Sequence, residues 1–173
     1  MNPSLLNKII IQQGDITGLK VDAIVNAANQ SLLGGGGVDG AIHCAAGPEL
    51  LQECKQIGGC PTGEARLTKG YQLPATYVIH TVGPIYKGTN DDARLLSSCY
   101  KNSLDIAVKN NIRTIAFPAI SCGIYGYPIQ EACKVAIQTT CDFLTQHHEI
   151  QQVIFILFSA SDKQVYDSYL QSL

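Results

Sequence analysis

Asp39 is the one carboxylate between Val25 and Glu49, in the stretch Asn26-Ala-Ala-Asn29-Gln-Ser-Leu-Leu-Gly34-Gly-Gly-Gly37-Val-Asp39-Gly40. Four successive glycines, Gly34 to Gly37, carry a large entropic cost, tolerated where the backbone must take positive φ or approach a ligand closely. A helix starting at such a loop aims free N–H groups and the positive end of its dipole at whatever lies there, which suits a phosphate. No Lys or Arg occurs from Val21 to Glu53 or from Thr114 to Cys133. A diphosphate held between these stretches would therefore be bound by main-chain N–H groups. The run Gly34–Gly40 reads as a backbone cradle for a nucleotide diphosphate.

A carboxylate in a phosphate loop is repelled by its ligand, so Asp39 needs a reason to be there. Two readings stand: a first-turn residue that complements the helix dipole, or a general base that orients an attacking water. Asn29 is either a turn residue satisfied by its own backbone or an amide offered to a sugar hydroxyl or a water. The second glycine-bearing loop, Pro118-Ala-Ile-Ser121-Cys122-Gly123-Ile124-Tyr125-Gly126-Tyr127-Pro128, also runs toward a helical pattern. There Cys122 invites a nucleophile reading, since a nearby helix N-terminus would lower its pKa. No base is evident beside it, and the Arg that a phosphatase-type loop needs does not follow. His43 reads as packed at a helix–sheet junction, His80 as the end of a strand, and His147 with His148 as the end of a helix. Gly35-x-Gly37-x-x-Gly40 matches the dinucleotide fingerprint by letter, but Asn26–Leu33 separates it from its strand. A Walker A loop is excluded, because no Gly-Lys-Ser/Thr follows the glycines.

The elements that must position these residues show in the apolar pattern. Short apolar runs predict strands at Ile9–Ile11, Ala23–Val25, Tyr77–Val82, Thr114–Phe117 and Val153–Phe158, and Ala65–Thr68 alternates as a sixth. Helical spacing predicts helices at Gly37–Ala46, Glu49–Ile57, Asp91–Asn110, Pro128–His147 and Asp162–Leu173. Strand–helix alternation implies a largely parallel sheet between helix layers, with Ala65–Thr68 and Tyr77–Val82 close enough to pair antiparallel. In such sheets ligands collect at the carboxyl ends of the strands, where both glycine loops fall.

At 173 residues and 46% hydrophobic content, with no repeat or linker, the chain is expected to be one domain spanning 1–173. A net charge of -2 lacks the electrostatic footprint of a duplex-binding or membrane-surface protein. With no export signal or membrane span legible, a soluble cytoplasmic protein is expected. Seven cysteines in no CxxC spacing fit reduced, mostly buried thiols. A zinc site on Cys54 and Cys60 would lack a second ligand pair.

Taken together, several motifs identify the sequence as similar to the macrodomain family, in its MacroD-type branch of ADP-ribose-binding hydrolases. They are Gly14-Asp15-Ile16-Thr17, Asn26-Ala-Ala-Asn29, Gly34-Gly-Gly-Gly-Val-Asp39-Gly-Ala-Ile-His43, Pro61-Thr-Gly-Glu-Ala65, His80-Thr-Val-Gly-Pro84 and Ser121-x-Gly123-x-Tyr125-Gly-Tyr-Pro128. The likeness runs from Ile9 to Leu173. It implies a three-layer α/β/α sandwich on a mixed, roughly six-stranded sheet. It assigns Asp15 and the Ile16 N–H to the adenine edge and Phe158 to adenine stacking. Gly34, Gly35, Gly36, Gly37 and Val38 would clamp the diphosphate against Ser121, Cys122, Gly123, Ile124 and Tyr125, with Tyr125 over the distal ribose. Asn29 and Asp39 would be the catalytic pair for hydrolysis of an ester between that ribose and an acyl group. The substrates implied are mono-ADP-ribosylated Asp or Glu of proteins and O-acetyl-ADP-ribose, with no cofactor, no metal, no duplex nucleic acid and a monomeric state. The alternatives are a reader module that binds ADP-ribose without cleaving it, and a nucleotide- or RNA-binding protein, which the acidic balance disfavours. Cys122 departs from the family's usual Thr and leaves redox sensitivity open.

Overall fold

The computed structural model describes residues 2–173. Six strands form one sheet: β1 (Ile9–Gln13), β2 (Ala23–Ala27), β3 (Ala65–Lys69), β4 (Tyr77–Thr81), β5 (Thr114–Phe117) and β6 (Gln152–Leu157). Their order is β1-β6-β5-β2-β4-β3, parallel throughout except for the antiparallel β3–β4 pair. The helices are α1 (Pro3–Leu6), α2 (Gly37–Ala46), α3 (Pro48–Ile57), α4 (Asn90–Lys109), α5 (Ile129–Gln146) and α6 (Ala160–Gln171). The mixed six-stranded sheet and its two helix layers agree with the architecture expected from the sequence. Element α1 and a 3₁₀ turn at Ile16–Gly18 are additions, too short to leave a period in the sequence.

Strand periodicity sends alternate residues into two cores. Ala23, Val25, Ile115, Phe117, Val153 and Phe155 pack with the buried faces of α4, α5 and α6, including Leu96, Tyr100, Leu104, Ala136, Ile137 and Tyr166. Ile24, Val78, Ala116, Ile154 and Ile156 pack on the other side, against Ile42 and Ala46 of α2 and Leu50 and Cys54 of α3. The helices are punctuated locally. Thr89 and Asp92 form a capping box at the start of α4. Gly47, at φ 87, ends α2 and lets Pro48 open α3.

Adjacent strands β2 and β5 feed helices on opposite faces, α2 on one side and α5 on the other. Their carboxyl ends therefore part into a crevice, the topological switch point of an open α/β sheet. The connections after β1, β2, β5 and β6 all emerge there.

Candidate functional site

A cleft of about 670 Å³ fills that crevice. Its lining brings together Asp15, Ile16, Asn29, Gly35, Gly36, Gly37, Val38, Asp39, Ser121, Cys122, Gly123, Ile124, Tyr125 and Phe158. Gly34 is not among them. Its carbonyl turns back to accept a hydrogen bond from Asn29 Nδ2 at 3.0 Å, and it lines a separate hollow of about 470 Å³ behind the loop, beside Leu33 and His43. Gly83 and Ala27, which fall within the sequence motifs, and Asp162 also line the cleft, although the sequence assigned none of them to the site. The charged side chains of the lining are Asp15, Asp39 and Asp162, and no Lys or Arg contributes.

The cradle is built from backbone. Helix α2 starts at Gly37, at φ 58, behind the N-cap Gly36, and no side chain caps it, so its first N–H groups face the cleft. Gly40 lies so close beneath the loop that a Cβ there would sit 2.5 Å from the Gly35 carbonyl oxygen. Opposite, Ser121 takes a left-handed φ of 66, and Tyr127 N–H returns to its carbonyl at 2.9 Å. Tyr86 N–H fastens the loop through the Tyr125 carbonyl at 2.9 Å. Helix α5 begins only at Ile129, beyond the lining residues. This second wall therefore offers loop amides, and the helix end expected from the sequence serves only the first wall.

At the far end, Asp15 caps the 3₁₀ turn, its Oδ1 accepting from Thr17 N–H at 2.9 Å and Thr17 Oγ1 at 2.7 Å. The Thr17 hydroxyl, then the Thr17 amide, hold its carboxyl below the usual carboxylate range. Both bonds go to Oδ1, which leaves Oδ2 available to a donor in the cleft. Phe158 follows β6 with its ring 89% exposed, an unusual setting for an aromatic side chain and one that offers a flat face to a base.

The other end holds Asp39, buried at 4% exposure in the first turn of α2. Its Oδ1 accepts a hydrogen bond from Asn26 Nδ2 at 2.8 Å. His43 Nε2, one helical turn on, comes to 3.4 Å of the same oxygen but makes no hydrogen bond with it. Asp39 Oδ2 and Asn29 Nδ2 converge on one face of Gly35, where a Cβ would lie 3.2 Å from the first and 3.4 Å from the second. Asn29 is braced at its Oδ1 by Ser31 Oγ at 2.7 Å, so its role in the turn and its place in the cleft coexist. Asn26 and His80, which the sequence places only in motifs and at a strand end, are buried beside this carboxylate. The signal was there: polar residues at the carboxyl ends of strands otherwise buried on both faces. The activation that made Cys122 a candidate nucleophile is absent, in line with the missing base and Arg: burial, followed by the charges of Asp162 and Cys133, pushes its thiol up to about 12. It is a protonated packing residue with little thiolate to react.

Among the described residues no three His, Cys, Asp or Glu side chains stand together to hold a metal ion. None of the described helices is long and apolar enough to cross a membrane.

A switch-point cleft walled by main-chain amides, on an α/β/α sandwich, has the geometry suited to phosphorylated ligands. Comparison with known proteins narrows the class. The Macro domain family model matches residues 25–136, and the chain belongs to that family. ADP-ribose glycohydrolase MACROD2 of Xenopus laevis is 57% identical over 166 residues, covering 94% of this chain and 40% of that protein. The O-acetyl-ADP-ribose deacetylase of Klebsiella pneumoniae is 54% identical over 164 residues, covering 92% of this chain and 94% of that one. The Trypanosoma brucei macrodomain, solved in complex with ADP-ribose, superposes with a TM-score of 0.93 at 46% identity, covering 98% of this chain and 72% of its own.

Proposed function

We propose that this protein binds ADP-ribose in the switch-point cleft and hydrolyses the ester joining its distal ribose to an acyl group. The acyl group is an Asp or Glu side chain of a mono-ADP-ribosylated protein, or the acetyl of O-acetyl-ADP-ribose. The observation that carries this reading is the convergence of Asp39 Oδ2 and Asn29 Nδ2 on one face of Gly35, beside the uncapped start of α2. The names of the glycohydrolase and deacetylase relatives support the same chemistry.

In this scheme the diphosphate spans the α2 N-terminus and the Ser121–Tyr125 loop, adenine stacks on Phe158 and reaches Asp15, and the distal ribose comes to lie under Tyr125. Asn29 holds a ribose hydroxyl. Asp39 accepts a hydrogen bond from a water, which the ligand's own phosphate oxygens help to orient. The water oxygen attacks the ester carbonyl carbon while one of its protons passes to the Asp39 carboxylate. As the bond to the ribose oxygen breaks, that proton is handed on to it, so the acyl group leaves as a carboxylic acid, the ribose hydroxyl is restored and Asp39 is again a carboxylate. A monomer is the proposed working unit. Seven free cysteines, with only Cys44 exposed and Cys122 half-buried, support a reducing, cytoplasmic setting.

The test is release of ADP-ribose from a protein mono-ADP-ribosylated on glutamate, and of acetate from O-acetyl-ADP-ribose. Asp39→Ala should lower kcat by about 100-fold or more, the scale of a lost general base, while ADP-ribose affinity stays within about threefold. Tight ADP-ribose binding with no release by the unmodified protein would replace the hydrolase with a reader module.

A further inference from the structure

We infer that His80 is a positioning residue for Asp39, acting through Asn26, with Thr68 locking the imidazole tautomer that this role requires. The inference rests on the hydrolytic reading of the cleft and extends it to residues that do not touch the ligand.

The four residues form one line across the sheet. Asn26 of β2 and His80 of β4 are register partners, and Thr68 of β3 pairs with Val78, two residues before His80. All three side chains point to the α2 face, and all are buried, Asn26 and His80 at 0% exposure and Thr68 at 2%. Asn26 Nδ2 lies 2.8 Å from Asp39 Oδ1 and 3.1 Å from His80 Nδ1. His80 Nε2 lies 2.9 Å from Thr68 Oγ1, and Thr68 Oγ1 lies 3.1 Å from the Lys69 carbonyl oxygen.

Only one assignment of hydrogens satisfies that line. The Asn26 amide nitrogen has two hydrogens, one for the Asp39 carboxylate and one for His80 Nδ1. Nδ1 must then accept, so the ring proton sits on Nε2 and is donated to Thr68, whose own hydroxyl hydrogen goes to the Lys69 carbonyl. Turning the Asn26 amide over would set its oxygen against the Asp39 carboxylate oxygen, a repulsion that a proton on His80 Nδ1 would not relieve. The orientation has a visible cost: Asn26 Oδ1 is buried with no hydrogen-bond partner. Burial also drives the His80 pKa down to about 3, aided by His43, so the ring keeps its Nδ1 lone pair at neutral pH.

The consequence reaches the cleft through Asp39. Asn26 is the side chain that hydrogen-bonds its carboxylate, since His43 does not. With Oδ1 tied to β2, Oδ2 is turned toward Gly35 and Asn29. If Nδ1 did not accept, the amide would be free to rotate and Oδ1 would lose its anchor.

Two variants separate positioning from mere packing. His80→Leu removes the acceptor, whereas His80→Asn returns an amide oxygen close to the position of Nδ1. His80→Leu should lower kcat for ester release by about tenfold or more while the Kd for ADP-ribose stays within about threefold, and His80→Asn should recover most of the loss. Unchanged kcat in His80→Leu would overturn the inference. So would equal losses of kcat and ADP-ribose affinity in both variants, which would mark His80 as structural. A third readout needs neither activity nor a variant: imidazole nitrogen NMR of the unmodified protein should show His80 protonated at Nε2 alone. A proton on Nδ1 would overturn the inference even in an active enzyme, and an inactive protein with the Nε2 tautomer would reject the hydrolytic reading instead.

Discussion

Asp39 stands in the first turn of α2, where a carboxylate complements the helix dipole, and its hydrogen bond runs across to Asn26 on β2. Gly35 matters because of what it leaves empty. Its backbone is outside the left-handed region, so alanine can adopt it, yet a Cβ would press on Asp39 Oδ2 at 3.2 Å and Asn29 Nδ2 at 3.4 Å. Gly35→Ala should fold normally and lose about tenfold or more in kcat, checked by steady-state kinetics beside a thermal melt. His80 links burial to pH. Its folded pKa is near 3 against an ordinary 6.5, so above 6.5 the ring is neutral in both folded and unfolded chains and contributes no slope. As pH falls below 6.5 the unfolded ring takes up a proton that the folded ring refuses, and stability declines toward the folded pKa. Urea unfolding at about pH 7 and about pH 5 should show the unmodified protein losing roughly 2 kcal/mol more than His80→Asn.

At the scale of elements, the cleft depends on how tightly its walls meet the strand ends. Gly83, two residues beyond β4, lies against the second loop: a Cβ there would overlap Ser121 Oγ and stand 2.6 Å from Ile120 Cγ2. Gly83→Ala must therefore displace the Ser121–Tyr125 wall, which is itself held by the left-handed Ser121 and by Tyr86. The expected result is a loss of ADP-ribose affinity of about tenfold or more with the circular dichroism spectrum retained, measured by calorimetry. An unchanged affinity would mean that this wall does not hold the ligand. In the first wall Gly36 combines open space for a Cβ with an extended backbone, whereas Gly37 has the space but sits at φ 58 and Gly40 packs on the Gly35 carbonyl.

Over the whole molecule, the net charge is -2 and the cleft lining carries three carboxylates with no Lys or Arg. On the proposed reading an anionic ligand is therefore not drawn in by the protein's field, and short-range amide donors at a helix end would hold it. Such contacts are screened far less than exposed ion pairs. Raising sodium chloride from about 50 mM to about 500 mM should change the Kd for ADP-ribose by less than about threefold, in an isothermal titration. A loss of about tenfold or more would mean that cationic side chains contribute to binding after all.

The sheet, the five longer helices, the backbone cradle and the absence of cations from both loops were legible in the sequence, because they are local properties: periodicity, glycine clustering and charge spacing along the chain. The short α1 and the turn at Ile16–Gly18 left no such trace. Tertiary structure alone decided which face of the glycine loop each residue uses, turning Gly34 away from the cleft to brace Asn29. It also decided that the half-buried Cys122 has its thiol pKa raised and not lowered, so the nucleophile reading that the missing base and Arg already disfavoured falls away. The line from Thr68 through His80 and Asn26 to Asp39 exists only because β3, β4 and β2 lie side by side in this register and α2 packs on the same face. That arrangement joins residues 12 to 54 positions apart, a distance over which no local pattern carries information.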